Sequence, residues 1–166
     1  MRKTGSIALL GLLLLAAAPA VALEEGDKAP SFSARGLLGG DNVTLAAHRG
    51  KVIYLDFWAS WCGPCAKALP DLDKLRSEFP EGSFQILAIN VDREQDKAKK
   101  FLSQHPVGYP SAADPEGQLP KTFEIETMPT SFLIDQDGVI RYVHRGYRAG
   151  DIDEIRERIR KLLEEN

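Results

Sequence analysis

The chain has 166 residues, with 21 Lys+Arg against 24 Asp+Glu, a formal net charge of -3, 43% hydrophobic residues and two cysteines. That length suits one globular domain rather than two, and the acidic balance leaves no basic footprint for nucleic acid. Two cysteines cannot build a disulfide scaffold or a four-thiolate zinc site.

Residues 1–22 stand apart from the fold. Arg2 and Lys3 give a positive start, Ile7 to Ala18 an apolar run, and Ala18-Pro19-Ala20 and Ala20-Val21-Ala22 two small-x-small cleavage sites, the pattern of a secretory signal peptide. An uncleaved anchor is the alternative, because the apolar stretch is just long enough to span a bilayer. Either way the expected organisation is a leader over 1–22 and one domain over 23–166. That domain is expected to be exported, to a compartment where disulfides persist.

Along the domain, Glu24 to Ser33 reads as an extended lead-in, and Gly36 to Asn42 as a turn-rich stretch before a short strand, Val43 to Leu45. VIYLDFW (52–58) is a β-branched and aromatic run that fits a strand buried on both faces. From Pro64 to Phe79, Leu69, Leu72, Leu75 and Phe79 recur at helical spacing, with Pro70 inside expected to kink the helix. FQILAINV (84–91) is a second buried strand. Arg93 to Gln104 is a polar helix turning Ala98, Phe101 and Leu102 inward. A short strand near Tyr109 and a short helix over Leu119 to Phe123 follow. Ser131 to Ile134 and Val139 to Val143 flank Asp135-Gln136-Asp137-Gly138, a hairpin signal. A last helix starts at Asp151, where Asp151 and Glu154 suit a capping box; Ile152, Ile155, Ile159 and Leu162 form its inner stripe. Strands separated by helices imply parallel pairing, and the hairpin adds an antiparallel pair. The expected fold is α/β, a central mixed sheet with helices on both faces.

Chemistry concentrates at Trp61-Cys62-Gly63-Pro64-Cys65, between the first buried strand and the first helix. A thiol at a helix N-terminus feels the positive end of the macrodipole, which favours thiolate. Cysteines at i and i+3 share one helix face and can close a disulfide with little backbone movement, and Pro64 fixes φ where no N–H is needed. Thiolate attack on a substrate disulfide, resolved by the second thiol, is the chemistry this allows. A purely structural disulfide closing so short a loop would contribute only ~1.9 kcal/mol. Haem attachment would need His where Ala66 stands, and His48, His105 and His144 show no metal-ligand spacing. No metal or cofactor is therefore expected beyond the Cys62–Cys65 pair itself.

Asp56 lies in the middle of VIYLDFW, where burial would raise its pKa and suit it to take and return the proton of Cys65; an edge position meeting solvent is the alternative. Trp58 reads as core, and Trp61 as a shield or docking surface beside Cys62. Met128-Pro129-Thr130 precedes the strand SFLI, and Pro129 is either a plain strand boundary or a cis-Pro opposite the dithiol.

DFWASWCGPCAKALP and MPTSFLID, with its DG turn, resemble the thioredoxin superfamily in register: buried Asp56, the dithiol at 61–65, Pro70, and the cis-Pro loop at Pro129. GDKAPSF and NVTLAAHRGKVIYLDFWASWC are similar to exported proteins of the TlpA/ResA/CcmG type. The resemblance implies a thioredoxin-like fold with an N-terminal extension and an insertion before the cis-Pro loop. It also implies a thiol–disulfide oxidoreductase, with Cys62 as nucleophile, Cys65 resolving and Asp56 handling the proton. Trp61, Gly63, Pro64, Met128 and Pro129 would contact substrate. Protein dithiols or disulfides are the implied partners, with a membrane electron donor of the DsbD/CcdA kind, for cytochrome c maturation or copper-centre assembly; a monomer is expected. Gly63-Pro64 is thioredoxin's own pair and points towards reduction. An oxidase or isomerase of secreted proteins is the alternative within the class. A Sco-like copper chaperone is the alternative outside it, although that branch spaces its cysteines one residue further apart. Two departures stand out. Ala68 replaces the Glu of many TlpA-type proteins, and Ala88 stands where thioredoxin has a Lys, so Asp56 is expected to stand alone and titrate high.

Overall fold

The computed structural model describes residues 22–165, so the leader segment, apart from Ala22, lies outside the described residues. The run at 52–58 becomes the central strand β3 (Val52–Trp58), with all seven residues buried. It pairs in parallel with β4 (Phe84–Asn90) on one side and antiparallel with β6 (Thr130–Ile134) on the other. β5 (Ser111–Ala113) and β7 (Ile140–Arg145) complete the order β5-β4-β3-β6-β7. The helical crossovers make β3, β4 and β5 parallel, while β6 and β7 meet through a tight turn, as their spacing predicts. Asp135 Oδ1 holds that turn by accepting the N–H of Asp137 and of Val139, and Gly138 takes the positive φ of 79°.

Side chains alternate across the sheet and so divide two cores. On one face Tyr54 and Trp58 of β3 meet Leu69, Leu72 and Leu75 of α1 (Gly63–Arg76), Ala98 and Leu102 of α2 (Gln95–Gln104), and Ile155 and Ile159 of α4 (Asp151–Glu164). On the other face Leu55 and Phe57 meet Phe132, Phe32, and Phe123 beside the short α3 (Gln118–Thr122). The Phe57, Phe123 and Phe132 rings lie 5.3–6.2 Å apart. Each fully buried large side chain of this kind contributes roughly 1.5–3 kcal/mol. Helices lie on both faces, as expected. α2 and β5 form the insertion.

The lead-in forms a strand that sequence reasoning missed. β1 (Ser33–Arg35) pairs with β2 (Asn42–Thr44), followed by one 3-10 turn over Ala46–His48. β1 is three residues long and mostly exposed, so it leaves no hydrophobic period to read. Residues 26–29 bond to the start of β7, with Gly26 N–H on Ile140 O and Ile140 N–H on Asp27 O, while Leu37 N–H bonds Ser111 O on β5.

Three local expectations need correction. α1 ends at Arg76, and its exit loosens into three-residue turns, with Ser77 N–H on Lys74 O and Glu78 N–H on Leu75 O; Phe79 instead packs on Phe84 at 5.2 Å. The inserted strand starts at Ser111, because Tyr109 is drawn into the core with its hydroxyl on Leu69 O. No capping box forms at α4. Gly150, with φ 97°, is its N-cap, and the Asp151 carboxylate turns back to accept the Arg148 N–H and meet His144 Nε2. Glu154 is engaged by Arg158.

Candidate active site

β3 delivers the chain to the N-terminus of α1, where Cys62 is the N-cap in extended conformation (φ -87°, ψ 102°) and Pro64 occupies the first turn. Cys62 Sγ accepts the Cys65 N–H at 3.3 Å, one of the orphan donors of a helix start. The two cysteines form a disulfide with Cα atoms 5.3 Å apart. Their surroundings are unequal. Trp61 is 67% exposed, Cys62 is at the surface limit with 4%, and Cys65 is fully buried. Cys62 is thus the sulfur nearer to solvent, and it sits at the helix terminus.

Asp56 is 1% exposed, which excludes the solvent-facing edge position. Strand alternation points it to the same face as Tyr54 and Trp58, the face that also holds Cys65. It does not stand alone. Ser131, its direct cross-strand partner on β6, donates its hydroxyl to Asp56 Oδ1 at 2.6 Å. Oδ2 is buried, with no hydrogen-bond partner among the described residues. Burial pushes the carboxyl up to about 7, against the opposing pull of the Ser131 hydroxyl. Sequence reasoning missed Ser131. Its only signal is position, a polar residue inside TSFLI at the register opposite Asp56.

A second buried acid steadies the loop before the dithiol. Asp92, just past β4, accepts from Ser60 N–H at 2.8 Å, Ser60 Oγ at 2.8 Å and Asn90 Nδ2 at 2.7 Å. Its own N–H returns to Asn90 Oδ1. Ser60 immediately precedes Trp61, so this network fixes the entry to the dithiol. It too went unread, although Asn90 and Asp92 closing an apolar strand were a visible cue.

The Met128–Pro129 bond is cis, as the family resemblance implied. Pro129 is buried and Met128 half-buried, while Gly63 and Pro64 are exposed. Trp58 is core, as expected, with its indole N–H on Ser111 Oγ of the insertion. The three histidines stay apart: His48 in the 3-10 turn, His105 at the end of α2, and His144 buried on β7 against Tyr142 and Asp151. Among the described residues no three His, Cys, Asp or Glu side chains are placed to share a metal, and no helix is long and apolar enough to cross a membrane.

Comparison with known proteins agrees with this geometry. The Redoxin family model matches residues 24–159. The thiol-disulfide oxidoreductase ResA of Bacillus thuringiensis subsp. konkukian is 32% identical over 140 residues, covering 84% of this chain and 79% of that protein. Among solved structures, a Chlorobium tepidum protein provisionally described as thiol:disulfide interchange protein DsbE is 41% identical. It superposes with a TM-score of 0.81 over 86% of this chain and 99% of its own. A Bacteroides thetaiotaomicron protein, provisionally described as a protein disulfide isomerase, is 29% identical with a TM-score of 0.76 over 86% of this chain and 91% of its own.

Proposed function

The chain belongs to the Redoxin family and is a thiol–disulfide oxidoreductase of the thioredoxin superfamily, and on that premise we propose that it is a dithiol reductase of exported proteins. The observation that carries the reading is the asymmetry of the pair. Cys62 keeps a 4% exposed edge beside exposed Trp61, and Cys65 is fully buried on the face that holds Asp56.

The reaction runs in two displacements. Cys62 thiolate attacks one sulfur of the client disulfide, forming a mixed disulfide and releasing the first client thiolate. Cys65 then gives its proton to Asp56 and attacks Cys62 Sγ, closing Cys62–Cys65 and releasing the second client thiolate. Two electrons pass from the dithiol to the client, and the proton held by Asp56 returns to a thiol when the pair is next reduced. A carboxyl near 7 can do both, because neither its acid nor its base form is strongly favoured at neutral pH. Trp61, Gly63, Pro64 and the Met128–Pro129 loop supply the docking surface. The disulfide is the whole redox group, with no added cofactor.

The signal pattern of residues 1–22 supports a periplasmic site of action, and an oxidising compartment demands recharging by a membrane donor of the DsbD/CcdA kind. The clients, by resemblance to the TlpA/ResA/CcmG group, are oxidised cysteine pairs of apocytochromes or copper sites. The chain works as a monomer.

Equilibrating the domain with dithiothreitol buffers gives the reduction potential of Cys62–Cys65. A value at or below about -270 mV is expected for a reductase. A value near about -120 mV would make the protein a disulfide donor and reverse the proposed direction.

A further inference from the structure

As the proposed base, Asp56 must change protonation state inside a core where, among the described residues, no charged partner lies beside it. The residue equivalent to a compensating lysine is Ala88, its cross-strand neighbour on β4. What meets the carboxylate comes from the opposite strand. β6 places Ser131 directly opposite on the same face, and the 2.6 Å contact occupies one oxygen while the other stays unpartnered. Ser131 is itself 2% exposed, so no water competes for its hydroxyl at that face.

We propose that Ser131 is a positioning residue for the proton-accepting carboxylate, holding Asp56 by Oδ1 and leaving Oδ2 as the atom that exchanges the proton with Cys65. This rests on the reading of Asp56 as the base. The hydroxyl has two effects. It fixes the carboxylate plane, so that the free lone pairs have one direction to face. It also donates to the charged form, which keeps the base usable near neutrality in a site whose burial alone would hold it protonated.

The other groups around Asp56 do not substitute for this contact. Tyr54 lies two residues back on β3, and its buried phenol is pushed up first by burial and then by the charge of Asp56, with the same Ser131 hydroxyl pulling the other way. Tyr109, from the α2–β5 connection, and Tyr147, after β7, are raised chiefly by burial, and both feel the same charge. Tyr109 is spent on Leu69 O and Tyr147 on Asp71. From α1, Cys65 packs on the same face, while Asp71 and Asp73 turn to Tyr147 and to Gly108 and Arg76. On β7 the residue aligned with Ser131 is His144, whose ring nitrogens are already engaged by Tyr142 and Asp151.

The test compares the wild type with Ser131→Ala, Ser131→Thr and Asp56→Asn. Two readouts apply: the carboxyl carbon shift of Asp56 by NMR in the oxidised protein, and the pH profile for single-turnover reduction of insulin disulfides by the reduced protein. Circular dichroism confirms that each variant is folded. In Ser131→Ala both the carboxyl midpoint and the rate inflection should rise by about one pH unit, the loss expected for one hydrogen bond to a charged group. Ser131→Thr, which keeps the hydroxyl, should return both to the wild-type value. Asp56→Asn should abolish the inflection. If it does so while Ser131→Ala moves neither midpoint, Ser131 has no such role and the base reading stands. A carboxyl shift without a rate shift also overturns the inference, since Ser131 would then tune a group the reaction does not use. An inflection that survives Asp56→Asn sinks the base reading itself.

Discussion

Asp92 and Asp56 are 3% and 1% exposed, yet Asp92 accepts three hydrogen bonds and Asp56 accepts one. Every lone-pair direction at Asp92 that matters is spent on Ser60 and Asn90, so its charge is repaid in local structure and it pins the loop ahead of the dithiol. Asp56 keeps an oxygen unpartnered, and its charge is correspondingly costly. Equal burial of the same side chain thus serves opposite ends. A saturated carboxylate builds a frame, and an unsaturated one is, in the proposed chemistry, the store of a proton for a thiol.

The largest expected effect tests the unsaturated acid. The Asp56 carboxyl moves from its ordinary 3.8 to about 7 on folding, so between those values the native state holds a proton that the unfolded chain has lost. Its contribution is therefore full below about 3.8 and is lost as pH rises through 7. Asp56→Asn should remove this dependence and leave the oxidised domain more stable at pH 8 by on the order of 4 kcal/mol. Urea unfolding at pH 5 and pH 8 measures it, and a variant with the wild-type pH dependence would break the contrast.

Next in size is the saturated acid. Asp92→Ala strands the Ser60 and Asn90 donors and should cost about 3 kcal/mol in the same unfolding measurement. A cost under about 0.5 kcal/mol would mean that water replaces the carboxylate and that the loop needs no anchor.

Glu124 sharpens the comparison from a third side. It has φ 51°, the left-handed region, and its Oε2 is buried without a partner, with no place in the proposed chemistry. Glu124→Gly relieves both and should raise stability by about 1 kcal/mol. Thermal unfolding would show this as a rise of about 2–4 °C, and a fall would show that the side chain has packing value the geometry does not reveal. The smallest stability effect is expected at Trp61, where replacement by Ala should stay within about 0.5 kcal/mol. Its reduction of insulin should nevertheless slow by roughly fivefold, the kinetic equivalent of about 1 kcal/mol. Reduction of a small aromatic disulfide should be unaffected, and equal slowing of both substrates would place Trp61 in the chemistry instead of docking.

The division between these residues also marks what sequence could reveal. VIYLDFW declared a buried strand because seven successive residues suit a two-faced core, and Asp56 was conspicuous there as the one charge. The dithiol was legible because strand, CxxC and helix follow one another in the chain. Ser131 was not, since its meaning depends on a register between strands 75 residues apart. Periodicity reports which face a residue takes and never which neighbour it meets. Asp92 failed for the same reason, with Ser60 brought to it by the return of β4 beside β3. The capping box at Asp151 failed because His144, from β7, and the Arg148 N–H competed for the same oxygen, a tertiary contact that local pattern cannot weigh.

The N-terminal segment has a consequence for how the domain avoids its own kind. Residues 26–29 lie along the outer side of β7's start, the segment then crosses the face at Phe32, and Gly36 and Leu37 pair with β5. One short stretch of chain thus occupies backbone donors and acceptors on both margins of the five-stranded sheet, where they would otherwise template a second molecule. A shortened version beginning near Leu38 would keep the dithiol, Asp56 and Ser131, yet uncover both margins at once. Self-association would be its characteristic failure, with the chemistry intact and the protein lost to aggregates.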